Sequence, residues 1–168
     1  MFELDEEMEV LDLSGQSIHD LSSLIDLVFA KMPSLKDLNL SNNNISSMPE
    51  ELCRNHLPFL EKINLNGNLI PQEDDLFEQV VDSLSLIGAN HPQQNGGLKE
   101  LFINLTREDQ VDFILRKLPK LVMLNGLSVD RNELYSSDGD GDGEGEADGD
   151  NGSMQEAQDN QEEEEQDG

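Results

Sequence analysis

The sequence predicts an α/β solenoid of four to five repeats, each giving one short strand to a parallel concave sheet, followed by a disordered acidic C-terminal tail. Three observations predict it. A leucine spacing recurs along the first 135 residues, apolar residues at helical spacing fill the segments between recurrences, and the composition changes abruptly at Ser136.

The recurrence is clearest in LKDLNLSNNNI, where Leu35, Leu38 and Leu40 stand three and two residues apart, followed by Asn43 and Ile45. The same spacing returns with Met8, Leu11, Leu13, Gln16 and Ile18, and with Leu60, Ile63, Leu65, Asn68 and Ile70. A fourth copy has Leu98, Leu101 and Ile103 but Thr106 in place of the asparagine, and a fifth, Leu121 and Leu124, stops early. This is the spacing of leucine-rich repeats. The alternating centre of each copy is a short strand, and the asparagine turns the chain while its amide satisfies backbone groups that would otherwise be buried unpaired. One repeat cannot bury its own leucines, so neighbours must stack.

Repeats start at residues 8, 35, 60, 98 and 121, giving steps of 27, 25, 38 and 23. The long third step holds an insertion. Its first part, DDLFEQVVDSLSLIGA, places Leu76, Phe77, Val80, Val81 and Leu84 at helical spacing and predicts an amphipathic helix on the convex side. The following NHPQQNGG marks an irregular loop. The segments LSSLIDLVFAKM and QVDFILRKL are the comparable convex pieces, with Leu24, Val28, Met32, Ile114 and Leu115 expected in the core. Residues 118–131, LPKLVMLNGLSVDR, carry Leu118, Leu121, Leu124, Leu127 and Val129 in a pattern too short for a further repeat, and are expected to cap the open end. The expected domain therefore spans residues 1–135 and the tail residues 136–168.

The formal net charge is −27. Fourteen Asp and Glu and no Lys or Arg fall between Ser136 and Gly168, so about half of the charge lies in the tail. Its only apolar residue larger than alanine is Met154, which leaves nothing to offset the entropy of ordering it. Direct binding to nucleic acid is excluded as a main role, because phosphates are held by Lys and Arg. The expected partners are basic proteins. No stretch approaches a membrane span, the N-terminal MFELDEEMEV is acidic where a targeting peptide would be basic, and a single cysteine allows no internal disulfide. A nuclear or cytoplasmic location is expected, without membrane attachment.

Nothing in the sequence assembles an enzyme. His19, His56 and His91 share no motif, Cys53 and His56 lack the further ligands of a zinc site, and no cofactor is expected. In the tail, Asp138, Asp140 and Asp142 with Gly143 imitate the start of a calcium-binding loop, but Gly149 stands where the bidentate glutamate belongs. Ser137 and Ser153 precede acidic residues in patterns resembling acidophilic-kinase sites.

The segments NLSNNNISSMP and LPKLVMLNGLSVDR resemble the short repeats and closing cap of the superfamily that includes regulators of type 1 protein phosphatase, the spliceosomal A-prime protein and an axonemal dynein light chain. A cap running directly into acid resembles the acidic leucine-rich nuclear phosphoprotein family. That resemblance implies a histone-binding adaptor, chromatin regulator or phosphatase inhibitor acting without catalysis.

Alternation along the strands predicts two columns on the concave face: Val10, Asp37, Lys62, Glu100 and Met123, then Asp12, Asn39, Asn64, Phe102 and Asn125. Phe102 is the aromatic among them and the expected anchor, with Met123 beside it and Lys62, Asn64, Glu100 and Asn125 as a polar rim, unless the loop between Gly88 and Gly97 folds over it. The candidate binding residues are thus Asp37, Asn39, Lys62, Asn64, Glu100, Phe102, Met123 and Asn125 on the sheet, with Asp138, Asp140, Asp142, Glu144 and Glu146 in the tail. The function expected is non-catalytic protein binding, with histones or another basic chromatin partner on the tail. The alternative is a regulatory subunit gripping a phosphatase or a cytoskeletal motor through the concave face.

Overall fold

The computed structural model describes residues 5–90 and 96–129. Each leucine alternation produces a strand: β1 (Val10–Asp12), β2 (Asp37–Asn39), β3 (Lys62–Asn64), β4 (Glu100–Phe102) and β5 (Met123–Leu124), with β6 (Leu127–Ser128) closing the series. They form one sheet in chain order, β1 to β5 parallel and β6 antiparallel to β5. This is the leucine-rich-repeat fold.

Reversal at the last strand departs from the all-parallel expectation, and its cause is local. Asn125 and Gly126 both adopt positive φ, 52° and 82°, as a two-residue type I′ turn requires and as an Asn-Gly pair supplies at low steric cost. The expected cap is thus a hairpin. It leaves Leu127 exposed at 74%, because no strand follows β6 among the described residues. That corrects the expectation of Leu127 as a packed cap residue, while Leu118, Leu121 and Leu124 are buried.

Leu11, Leu38, Ile63, Leu101 and Leu124 stand in register across the sheet and point inward. Leu35, Leu40, Leu60, Leu65, Leu98 and Ile103 flank them in the same core. Behind the sheet, the early repeats use tight turns: 3-10 segments at Ser22–Leu24 and Phe29–Lys31 and a π-helical turn at Leu52–His56. Pro33 halts the first of these connections before a longer helix can form. The later repeats carry true helices, α1 (Asp74–Leu84) and α2 (Glu108–Lys117). Acidic residues in both first turns, and Arg116 with Lys117 in the last turn of α2, suit the helix dipole. Phe77, Val80, Val81 and Leu84 form the buried stripe of α1, but Leu76 is 46% exposed. It lies at the edge of that stripe, about 40° of helix from Val80, in the first turn of α1, so it is not the core residue expected.

The loops after the strands explain the repeat consensus. Asn43 Oδ1 accepts from Gln16 N (2.8 Å) and Ile18 N (3.0 Å), while its Nδ2 donates to Leu13 O and Leu40 O, both at 2.9 Å. Asn68 repeats the device one layer on, accepting from Ile45 N and donating to Leu40 O and Leu65 O. Each amide thus ties its own repeat to the one before. Gly15, Asn42 and Gly67 occupy one equivalent turn position, all with positive φ. At Gly67 a Cβ would lie 2.3 Å from Asn42 Oδ1 and 3.2 Å from Asn42 Cα, so a side chain there is strained by its positive φ and would push Asn42 aside.

Candidate functional site

Among the described residues, no helix or strand covers the face of the sheet opposite the core. Register places Val10, Asp37, Lys62, Glu100 and Met123 in one row, and Asp12, Asn39, Asn64 and Phe102 in the next. The parallel ladder holds these side chains at fixed spacing, about 4.8 Å from strand to strand.

Phe102 is half-buried on this face. The Lys62 ammonium lies over its ring, 5.7 Å from the centroid, and also 3.8 Å from Asp37 Oδ2. Lys62 is therefore flanked in its row by two carboxylates, Asp37 and Glu100, with an aromatic face beneath it. Met123 stands beside Glu100 in the row, also half-buried. The insertion meets the fold elsewhere: Gly88 touches Gly96 and Gly97, so close that a Cβ at Gly88 would come within 2.4 Å of Gly97 N, and Lys120 Nζ donates to Gly96 O at 2.9 Å. These described ends of the loop lie at the start of β4, whereas Phe102 is its last residue.

Asn39 and Asn64 share the face but are committed locally. Asn39 Oδ1 accepts from the backbone N and hydroxyl of Ser41, and Asn64 Oδ1 accepts from Asn66 N. Asp12 does the same with Ser14 N, and the Ser14 hydroxyl, followed by that backbone N–H, lowers its carboxyl below the usual range. These are turns initiated by the residue before the closing leucine, and they fix the direction in which the chain leaves each strand.

Asn125 differs from the expectation. It is a turn residue, not a strand residue of the second column, and its amide is spent on the neighbouring strand: Oδ1 accepts from Ile103 N at 2.9 Å and Nδ2 donates to Ile103 O at 3.0 Å. Its role in the rim is structural. Asp138, Asp140, Asp142, Glu144 and Glu146 lie outside the described residues.

Two groups were missed in the sequence. Along the start of the strands, Lys36 Nζ meets Glu9 at 2.7 Å and Lys99 Nζ meets Glu61 at 2.9 Å, a ladder of alternating charge legible from the residue after each first leucine. The hydrogen bond to Glu9 raises the Lys36 ammonium above its ordinary range. In the fourth repeat, where the asparagine is absent, Gln110 is buried and caps the start of α2. Its Oε1 accepts from Thr106 N and Arg107 N, and its Nε2 donates to Gln72 Oε1, which Thr106 Oγ1 also reaches. No repeat position announces it.

Burial pushes the Cys53 thiol up to about 12, away from the thiolate that nucleophilic attack needs. Among the described residues, no three His, Cys, Asp or Glu side chains are grouped to hold a metal ion, and no helix is long and apolar enough to cross a membrane.

A leucine-rich-repeat family model matches residues 6–70. A search of the curated proteins finds no match. Among solved structures, a chain of the Drosophila melanogaster SNF/U2A′ complex aligns at 22% identity with a TM-score of 0.50, covering 77% of this chain and 79% of that one. A chain from the Chaetomium Mex67:Mtr2 subunits aligns at 18% identity with a TM-score of 0.39, covering 77% of this chain and 61% of that one.

Proposed function

We propose that the protein is a non-catalytic adaptor whose open sheet face binds a protein partner, while its acidic C-terminal segment attracts basic proteins, with histones or other chromatin components as the specific class and a nuclear or cytoplasmic site of action. The observation that carries the proposal is the half-buried Phe102 on the open face, with Lys62 and Met123 around it. An aromatic held rigidly by a sheet, with little side-chain freedom left to lose, is the kind of residue on which binding energy concentrates. The charge of −27 supports the second half of the proposal, since it draws basic partners and repels nucleic acid.

The two surfaces separate experimentally. Core histones are titrated against the full chain, the Phe102→Ala variant and a truncation ending at Tyr135, at low and physiological salt. The expected result is strong salt dependence, loss of most binding on truncation, and a decrease of ~tenfold or more for Phe102→Ala if the sheet also engages the histone. Equal, weak binding by full chain and truncation overturns the histone assignment. A partner that is sensitive to Phe102→Ala and indifferent to truncation establishes the other reading, a regulatory subunit acting through the sheet alone.

A further inference from the structure

We infer that the partner segment of the open face carries a basic side chain next to an apolar one, and that Lys62 is an internal place-holder for that basic side chain. The inference rests on the protein-binding proposal above and narrows it to one partner chemistry.

Charge leads to this conclusion. The row through the centre of the face reads Val10, Asp37, Lys62, Glu100, Met123, with Asp12 and Phe102 in the adjoining row. It thus presents three carboxylates to one ammonium. The lysines and glutamates at the start of the strands pair off with each other and do not alter this balance. Only a cation complements the remaining charge.

Geometry says where that cation goes. The Lys62 position offers two carboxylates, one on each neighbouring strand, and the face of an aromatic ring, the surroundings that a desolvating ammonium or guanidinium prefers. Yet Lys62 itself is loosely kept there. Its contact with Asp37 is long, 3.8 Å, with both side chains more than a third exposed, and an exposed pair of this kind is easily exchanged. Its flexible four-carbon stem allows the ammonium to swing out. Free protein therefore shields Asp37, Glu100 and the Phe102 ring with its own cation, and a partner's cation takes them over.

Strand spacing sets the partner's pattern. Met123 lies two strands from Lys62, about 10 Å, and Phe102 lies one strand across and two residues along, about 8 Å. Residues two apart in an extended peptide are separated by about 6.6 Å. A Lys or Arg followed two residues later by Leu would place the charge at the Lys62 site and the apolar side chain over Phe102 and Met123.

The test uses the full chain, labelled at the methionine methyls so that Met123 reports on the open face independently of the tail. Three short peptides are titrated: Lys-x-Leu, its Gln-x-Leu counterpart and its Glu-x-Leu counterpart, against wild type, Lys62→Gln and Lys62→Arg. The expected result is that Lys-x-Leu shifts the Met123 signal in preference to the others, and that Lys62→Gln binds it ~three- to tenfold tighter while Lys62→Arg stays near wild type. Movement of Met123 by Glu-x-Leu in preference, or weaker binding of Lys-x-Leu by Lys62→Gln, overturns the place-holder and leaves the face as a protein-binding surface. A Met123 signal that no peptide moves removes both the inference and the use of this face.

Discussion

The first three repeats and the last two solve the same problem differently. Between β1, β2 and β3, one asparagine per repeat serves both neighbours, Asn43 and then Asn68, and a residue with positive φ precedes each. After β4 neither is present. Thr106 stands in the asparagine's place, and backbone groups are satisfied by Gln110, itself held by Gln72, by Asn104 Oδ1 accepting from Gly67 N at 2.8 Å, and by Asn125 folding back on Ile103. Burial of backbone groups imposes the demand. The residues that meet it are free to vary.

The largest expected effect tests the regular half. Asn43→Ala deprives two backbone N–H groups and several carbonyls of their partner at a buried position, and should lower unfolding free energy by about 3 kcal/mol, measured by urea denaturation. Gln110→Ala sharpens the comparison. As the buried cap of α2, Gln110 should cost about 2 kcal/mol on loss, whereas Thr106→Ala, which leaves the Gln110 bonds in place, should cost under about 1 kcal/mol. Equal losses at Thr106 and Gln110 would show that the capping is shared between them.

Alkaline titration probes the same regular half through Cys53. Its folded pKa of about 12 lies above the ordinary 9.0, so its contribution is complete below pH 9 and is lost as pH rises toward 12. Stability should fall by about 1.4 kcal/mol per pH unit across that window. In Cys53→Ala this slope should vanish, and only the smaller loss from Lys36, whose raised pKa acts above 10.5, should remain.

A small effect also belongs to the last turn of the sheet. Gly126→Ala forces a side chain into positive φ at a position with room for it, the nearest atom being Phe102 Cε1 at 3.9 Å, and should cost about 1 kcal/mol. Gly67→Ala meets the same conformational penalty and a clash with Asn42, so its cost should be greater by thermal melting. A similar cost at both sites would mean that Asn42 moves aside.

Much of this was legible residue by residue. The Leu-x-Leu spacing specified the strands, their parallel order and their register, because a period of two leaves each side chain only two faces to choose from. It therefore also specified the rows containing Lys62, Glu100 and Phe102. Leu76 and Leu127 were misassigned because hydrophobicity was read without its exact angle on the helix or its distance from the end of the sheet. Asn125 was misassigned for a simpler reason: the Asn-Gly signal for a hairpin was present, but the repeat pattern was extended through it.

By itself, then, the sequence determined the solenoid, the inward leucines, the asparagines that join the repeats and the strong acidity, all consequences of local period and composition. Only the tertiary structure decided that Lys62 shares Asp37 and the ring of Phe102, that Gln110 ties the start of α2 to Gln72 of the preceding repeat, and that Asn125 secures Ile103. These contacts join residues separated by 22 to 40 positions or by a turn of helix, and they depend on distances and side-chain directions that no linear pattern contains.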